Sequence, residues 1–64
     1  MILKIYSNQF DQVFFEKEIT DEVFNEYNIQ PSNDDFTELF ETEILNDILE
    51  LNNINSSEVY YELK

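Results

Sequence analysis

Sixty-four residues make one small domain at most, and 15 Asp and Glu against three Lys leave a formal net charge of -12. The absence of Cys and His excludes a disulfide framework, thiolate chemistry and the commonest metal and acid–base side chain, and the absence of Gly excludes a phosphate-cradling loop. The charge itself disfavours direct binding to nucleic acid or to an anionic membrane and directs attention to a basic protein surface.

Acidic chains are often disordered, but those are poor in aromatics. Here 42% of residues are apolar and ten are Phe or Tyr, which predicts a folded domain. Eight Asn and seven Ile suggest an AT-rich coding sequence, whose codons would readily yield Lys. The scarcity of Lys therefore reads as selection for negative charge, a property that speaks to partners rather than to fold.

Met1 to Tyr6 form an apolar run broken only by Lys4, which predicts a short strand in an inner position. Ser7-Asn8-Gln9 reads as a turn, with Asn8 suited to the left-handed conformation in place of Gly. Over residues 12–19, Val13, Phe15 and Ile19 fall on one face, opposite Phe14, Glu16 and Glu18, and this period of two favours a second strand. Phe10, Val13, Phe14 and Lys17 would also fit a helical face, so a helix over residues 10–18 is the alternative.

Thr20 is the expected N-cap of a short helix reaching about Asn28, with Asp21 and Glu22 in its first turn and Ile19 and Phe24 as a hydrophobic staple. Pro31 separates this helix from the next. Ser32-Asn33-Asp34-Asp35 has capping-box spacing ahead of Phe36, and a longer helix is predicted to about Leu51. In a regular helix Phe36, Leu39, Phe40, Ile44, Ile48 and Leu51 share one apolar arc. Leu45 and Leu49 then fall outside it, as an exposed pair for a partner or a dimer seam, unless another element buries them. Asp47 falls inside the arc, either reaching solvent or needing a polar partner. Asn52-Asn53 can end the helix. Finally, Val59, Tyr61 and Leu63 alternate with Glu58, Tyr60 and Glu62, predicting a closing strand over residues 58–63. The expected fold is α+β, a three-stranded sheet packed on two helices in the order strand-strand-helix-helix-strand, with a small helical bundle as the alternative.

Ten of the twelve net negative charges lie in residues 20–52. On the longer helix Asp34, Glu38 and Glu41 are expected opposite the apolar arc with Asp35 beside them, while Glu43 and Glu50 flank its other margin. Carboxylates three or four apart on a helix stand about 5–6 Å from one another at Cβ and repel. Extended side chains bring such a row to spacings comparable with successive phosphates. Any one of these residues can be an ordinary solvated charge, but the whole set without Lys is costly unless a basic partner uses it.

Catalysis is not expected: no pair of carboxylates is singled out by a cleft, and Ser and Thr have no His to activate them. The calcium-loop spacing and its turn Gly are absent, so no metal or other cofactor is expected. The aromatic residues read as core rather than as a base-stacking platform, which would come with a basic groove. No targeting segment or membrane span is recognised, Asn55-Ser56-Ser57 reads as a chance match to the glycosylation pattern, and the expected location is the cytoplasm of a bacterial host.

In size, charge and carboxylate layout across the whole chain, though in no shared motif, the sequence resembles phage-encoded inhibitors of nucleic-acid-handling enzymes, the anti-CRISPR proteins and other DNA mimics. The resemblance implies a stoichiometric inhibitor that occupies a basic nucleic-acid cleft, such as that of an RNA-guided nuclease. Asp34, Asp35, Glu38 and Glu41 would then pair with the target's Lys or Arg, and Asp21, Glu22 and Glu26 would extend the strip. The competing expectation is an acidic interaction module, homodimeric through Leu45 and Leu49, that regulates another basic protein.

Overall fold

A computed structural model describes all 64 residues, with the side chain of Phe14 outside the description. Its elements are β1 (Ile2–Ser7), β2 (Val13–Glu18), α1 (Asp21–Glu26), α2 (Phe36–Leu39), a π-helical turn (Phe40–Leu45), α3 (Asn46–Leu51), a 3₁₀ turn (Ser56–Glu58) and β3 (Val59–Leu63). The last helical pieces run on without a break, so residues 36–51 form one long helical segment. The fold is the expected α+β arrangement rather than a helical bundle, and within residues 10–18 the stretch Val13–Glu18 is a strand, not a helix.

The sheet has the order β2-β1-β3, and both pairings are antiparallel. As the central strand, β1 has backbone partners on both sides, which suits its near-continuous apolar run. Leu3 and Ile5 are fully buried beneath the helices, and Val59, Tyr61 and Leu63 of β3 pack against the same core. Ile19, Phe24, Ile29, Phe40, Ile44, Ile48 and Leu49 complete it from the helical side. The helices cover one face of the sheet only.

Several local expectations change in three dimensions. In the β1–β2 connection the left-handed residue is Asp11, with φ 52°, rather than Asn8, which donates its backbone N–H to Glu58 and its side-chain amide to the Ser57 carbonyl. The pairing of β1 with β2 slips between Ile5 and Tyr6, where Phe14 is the extra backbone residue. This bulge puts Val13 opposite Tyr6, on the face away from the helices, and not with Phe15 and Ile19 on the core face. The expected placement of the Phe14 side chain lies outside the described residues.

Thr20 is the N-cap of α1 by position, but its backbone carbonyl, not its side chain, receives the N–H groups of Val23 and Phe24. Ile19 and Phe24 are both buried, as a staple requires. The capping box at Ser32 does not form: residues 31–35 make turns, and Asp35 is the N-cap of α2 without a side-chain bond. Both helical regions end in the same way. Asn28 and Asn53 adopt φ 57° and 55°, and the N–H groups of Ile29 and Ile54 bond back to the carbonyls of Phe24 and Leu49. These are Schellman closures in which Asn takes the place usually filled by Gly.

The largest departure is the π-helical turn. Phe36, Phe40, Ile44 and Ile48 recur every four residues, a row that drifts by about 40° per step around a regular α-helix. A turn of about 4.4 residues between Phe40 and Ile44 reverses the drift and keeps the row facing the sheet. Each residue beyond it stands about 100° behind its regular-helix position. Leu49 is consequently only 6% exposed and Leu45 packs against the core, so the exposed Leu pair of the regular-helix projection does not exist. Leu51, expected in the arc, is 82% exposed. Within the widened turn, the Thr42 hydroxyl donates to the Glu38 carbonyl at 2.9 Å.

Candidate acidic interface

All seven carboxylates singled out by the sequence are exposed. Asp21 and Glu22 occupy the first turn of α1 and Glu26 its last position, Asp34 and Asp35 lie in the turn before α2, Glu38 lies within α2, and Glu41 lies in the π turn. Phe24 meets Phe36 edge-on at 5.6 Å between ring centroids, tying α1 to the start of the long helical segment. This contact joins the two carboxylate-bearing regions into one layer.

Two tyrosine hydroxyls then hold that layer through its acidic side chains. Tyr27, just beyond α1, donates to Asp47 Oδ2 at 2.6 Å, and Tyr61 on β3 donates to Glu41 Oε1 at 2.7 Å. Asp47 has therefore turned out of the apolar arc and found its partner on α1's side. Glu41 reaches toward β3 rather than standing opposite the apolar arc, and one of its oxygens is already engaged. The bond to Asp47, with burial and the charges of Asp47, Glu26 and Glu43 behind it, pushes the Tyr27 phenol up to about 12. Burial first, then the bond to Glu41, does the same for Tyr61, also to about 12.

Cations are distributed differently. Lys4 pairs with Glu16 at 3.7 Å, and Lys64 with Glu62 at 3.1 Å. These are the ion pairs among the described residues, and both belong to the sheet and its terminus. Lys17 lies on β2. The helical layer contains no Lys at all, so nothing within it offsets its carboxylates. Among the described residues, no cluster of three or more acidic side chains is placed to hold a metal ion, and no helix is long and apolar enough to cross a membrane.

An open groove of about 670 Å³ lies elsewhere, between the β1–β2 connection and residues 52–59. Its lining is rich in Asn and Gln, and Glu58 is its one ionisable residue. Sequence reading missed a different surface, the outer sheet face, where Tyr6 and Tyr60 stack at 5.0 Å with an 8° angle between their rings. Their cross-strand pairing could have been read from the alternation of the two strands once the sheet order was known. No family model, curated protein or solved structure matches this chain.

Proposed function

We propose that the protein is a stoichiometric inhibitor that sets its acidic helical layer into the basic nucleic-acid cleft of a nuclease or related enzyme, in the manner of a phage anti-CRISPR protein acting on an RNA-guided nuclease. The observation behind this reading is the segregation of charge. Residues 20–52 hold ten of the net negative charges with no Lys among them, while all three Lys lie on the sheet strands and the C-terminus. Asp34, Asp35 and Glu38 lead the contact, Asp21, Glu22 and Glu26 extend it, and Glu41 contributes its remaining oxygen. Each would replace a phosphate against target Lys or Arg, and the complementary fields would speed encounter.

The test is inhibition of DNA cleavage by a panel of purified, guide-loaded RNA-guided nucleases. Equimolar protein should block a susceptible enzyme, and DNA bound beforehand should protect it. The Glu38→Lys, Glu41→Lys double variant should lose about a hundredfold or more in affinity, and binding should weaken steeply with salt. Inhibition that ignores both salt and charge reversal would exclude the mimic. The competing acidic module, homodimeric through Leu45 and Leu49, loses its proposed seam, because those side chains serve the core.

A further inference from the structure

The groove between the β1–β2 connection and residues 52–59 differs in chemistry from the rest of the molecule. Six of the chain's eleven Asn and Gln line it, together with Ser7 and Ser57, whereas only one of the 15 Asp and Glu does. No Lys lines it, and the neighbouring Asp11 is engaged by the Tyr60 hydroxyl. Part of this polar lining is held in place. The Asn8 side-chain amide donates to the Ser57 carbonyl at 3.2 Å and ties one wall to the other. Asn55 Oδ1 accepts the Ser57 hydroxyl at 2.9 Å and the Ser57 backbone N–H at 3.1 Å. These two pinned amides keep an acceptor on Asn8 and a donor on Asn55 with no partner among the described residues. Phe10, 69% exposed, adds an aromatic ring to the lining, and Ile54 and Val59 add aliphatic surface.

We propose that this groove binds a neutral saccharide. Sugar hydroxyls donate and accept at once, as the amides and hydroxyls of the lining do, and Glu58 is a further acceptor for them. The weakly positive C–H face of a sugar ring suits the negative face of the Phe10 ring. Other ligand classes fit less well. A nucleotide or an acidic sugar would bring anionic groups to a groove without a cation in a chain of net charge -12. A cation has stronger attractors in the Lys-free helical layer. A wholly apolar ligand would cut the amides off from water without replacing their hydrogen bonds. An extended peptide needs an open backbone ladder, but the backbone N–H groups of eight of the twelve lining residues are already bonded within the chain. The volume of about 670 Å³ lies within the range of about 300–1,000 Å³ usual for small-molecule sites. An open site of this kind keeps much of the sugar in water, so the dissociation constant falls at about 0.1–10 mM. None of the seven carboxylates assigned to the acidic interface lines the groove, so this inference does not depend on the target proposed above.

Titration of the isotope-labelled full chain with maltotriose, cellotriose and triacetylchitotriose, each to about 20 mM and followed by amide NMR shifts, tests it over that affinity range. At least one of the three should move the amides of residues 7–12 and 52–59 saturably while leaving those of α1 and α2 in place, and as tightly at high salt as at low. Trigalacturonic acid, of similar size but anionic, should not bind. Phe10→Ala and Gln12→Ala should each weaken binding by about fivefold or more. Both side chains are exposed, so an unchanged circular dichroism spectrum separates loss of contact from loss of fold. Leu51→Ala, outside the groove, should leave binding as it is. No saturable shift with any of the three neutral sugars, or binding that F10A and Q12A both leave intact, would overturn the assignment.

Discussion

Tyr27 shows how a single side chain can serve the fold and set its pH limit. Its hydroxyl satisfies Asp47, a residue that would otherwise be half-buried without a partner. Tyrosine is an acid whose neutral form is the donor here, so raising its value from 10.0 to about 12 means that folding favours the protonated phenol. That stabilisation is fully present below pH 10 and is lost as the pH rises through 12. Tyr61 titrates in the same sense. The expected outcome is alkaline unfolding between pH 10 and 12, with the tyrosines ionising late in the folded protein, followed by ultraviolet absorbance and circular dichroism. Tyr27→Phe should remove part of this pH dependence and cost about 1 kcal/mol near neutrality, the usual net value of a partly exposed hydrogen bond.

At the scale of elements, the π-helical turn decides which leucines are structural. A regular helix places Leu51 inside and Leu49 outside; the widened turn reverses them. Leu49→Ala should therefore cost about 2–5 kcal/mol, a large share of the stability of so small a domain, while Leu51→Ala should change it by less than about 0.5 kcal/mol. Urea unfolding of the two variants checks the assignment, and a larger loss from Leu51→Ala than from Leu49→Ala would mean that the helix is regular. The closure at Asn53 was legible in the sequence, because a chain without Gly has few other residues for the left-handed position, whereas the matching closure at Asn28 emerged only in the structure. The capping box was misleading for a related reason: Ser, Asn and Asp favour turns as readily as caps, and the segment after Pro31 uses them for turns.

For the molecule as a whole, charge is the dominant liability. A domain this small buries only about 60% of its unfolded surface, and the helical layer adds self-repulsion that two ion pairs on the sheet do not offset. Raising salt from about 0.02 to 0.5 M shortens the screening length to a few ångströms. It should stabilise the isolated protein by about 1 kcal/mol, a rise in Tm of about 4–8 °C for a domain of this size. Calorimetry across that range is the measurement. The same salt should weaken the proposed inhibitory complex, so one variable drives two responses of opposite sign.

Sequence alone determined the element order, the inner position of β1, the core face of β3, both helix ends and the concentration of charge in residues 20–52. These follow from periodicity, local backbone preference and composition, which act over a few residues at a time. Tertiary structure decided the rest. The bulge that turns Val13 outward, the widened turn that brings Leu45 and Leu49 inward, and the tyrosines that engage Glu41 and Asp47 all depend on partners 20 or more residues away or across a strand pairing. A helical projection assumes a constant 100° step, and a strand pattern assumes an unbroken register. Packing against the sheet altered both, because burying the four-residue apolar row outweighed the regularity of a single turn.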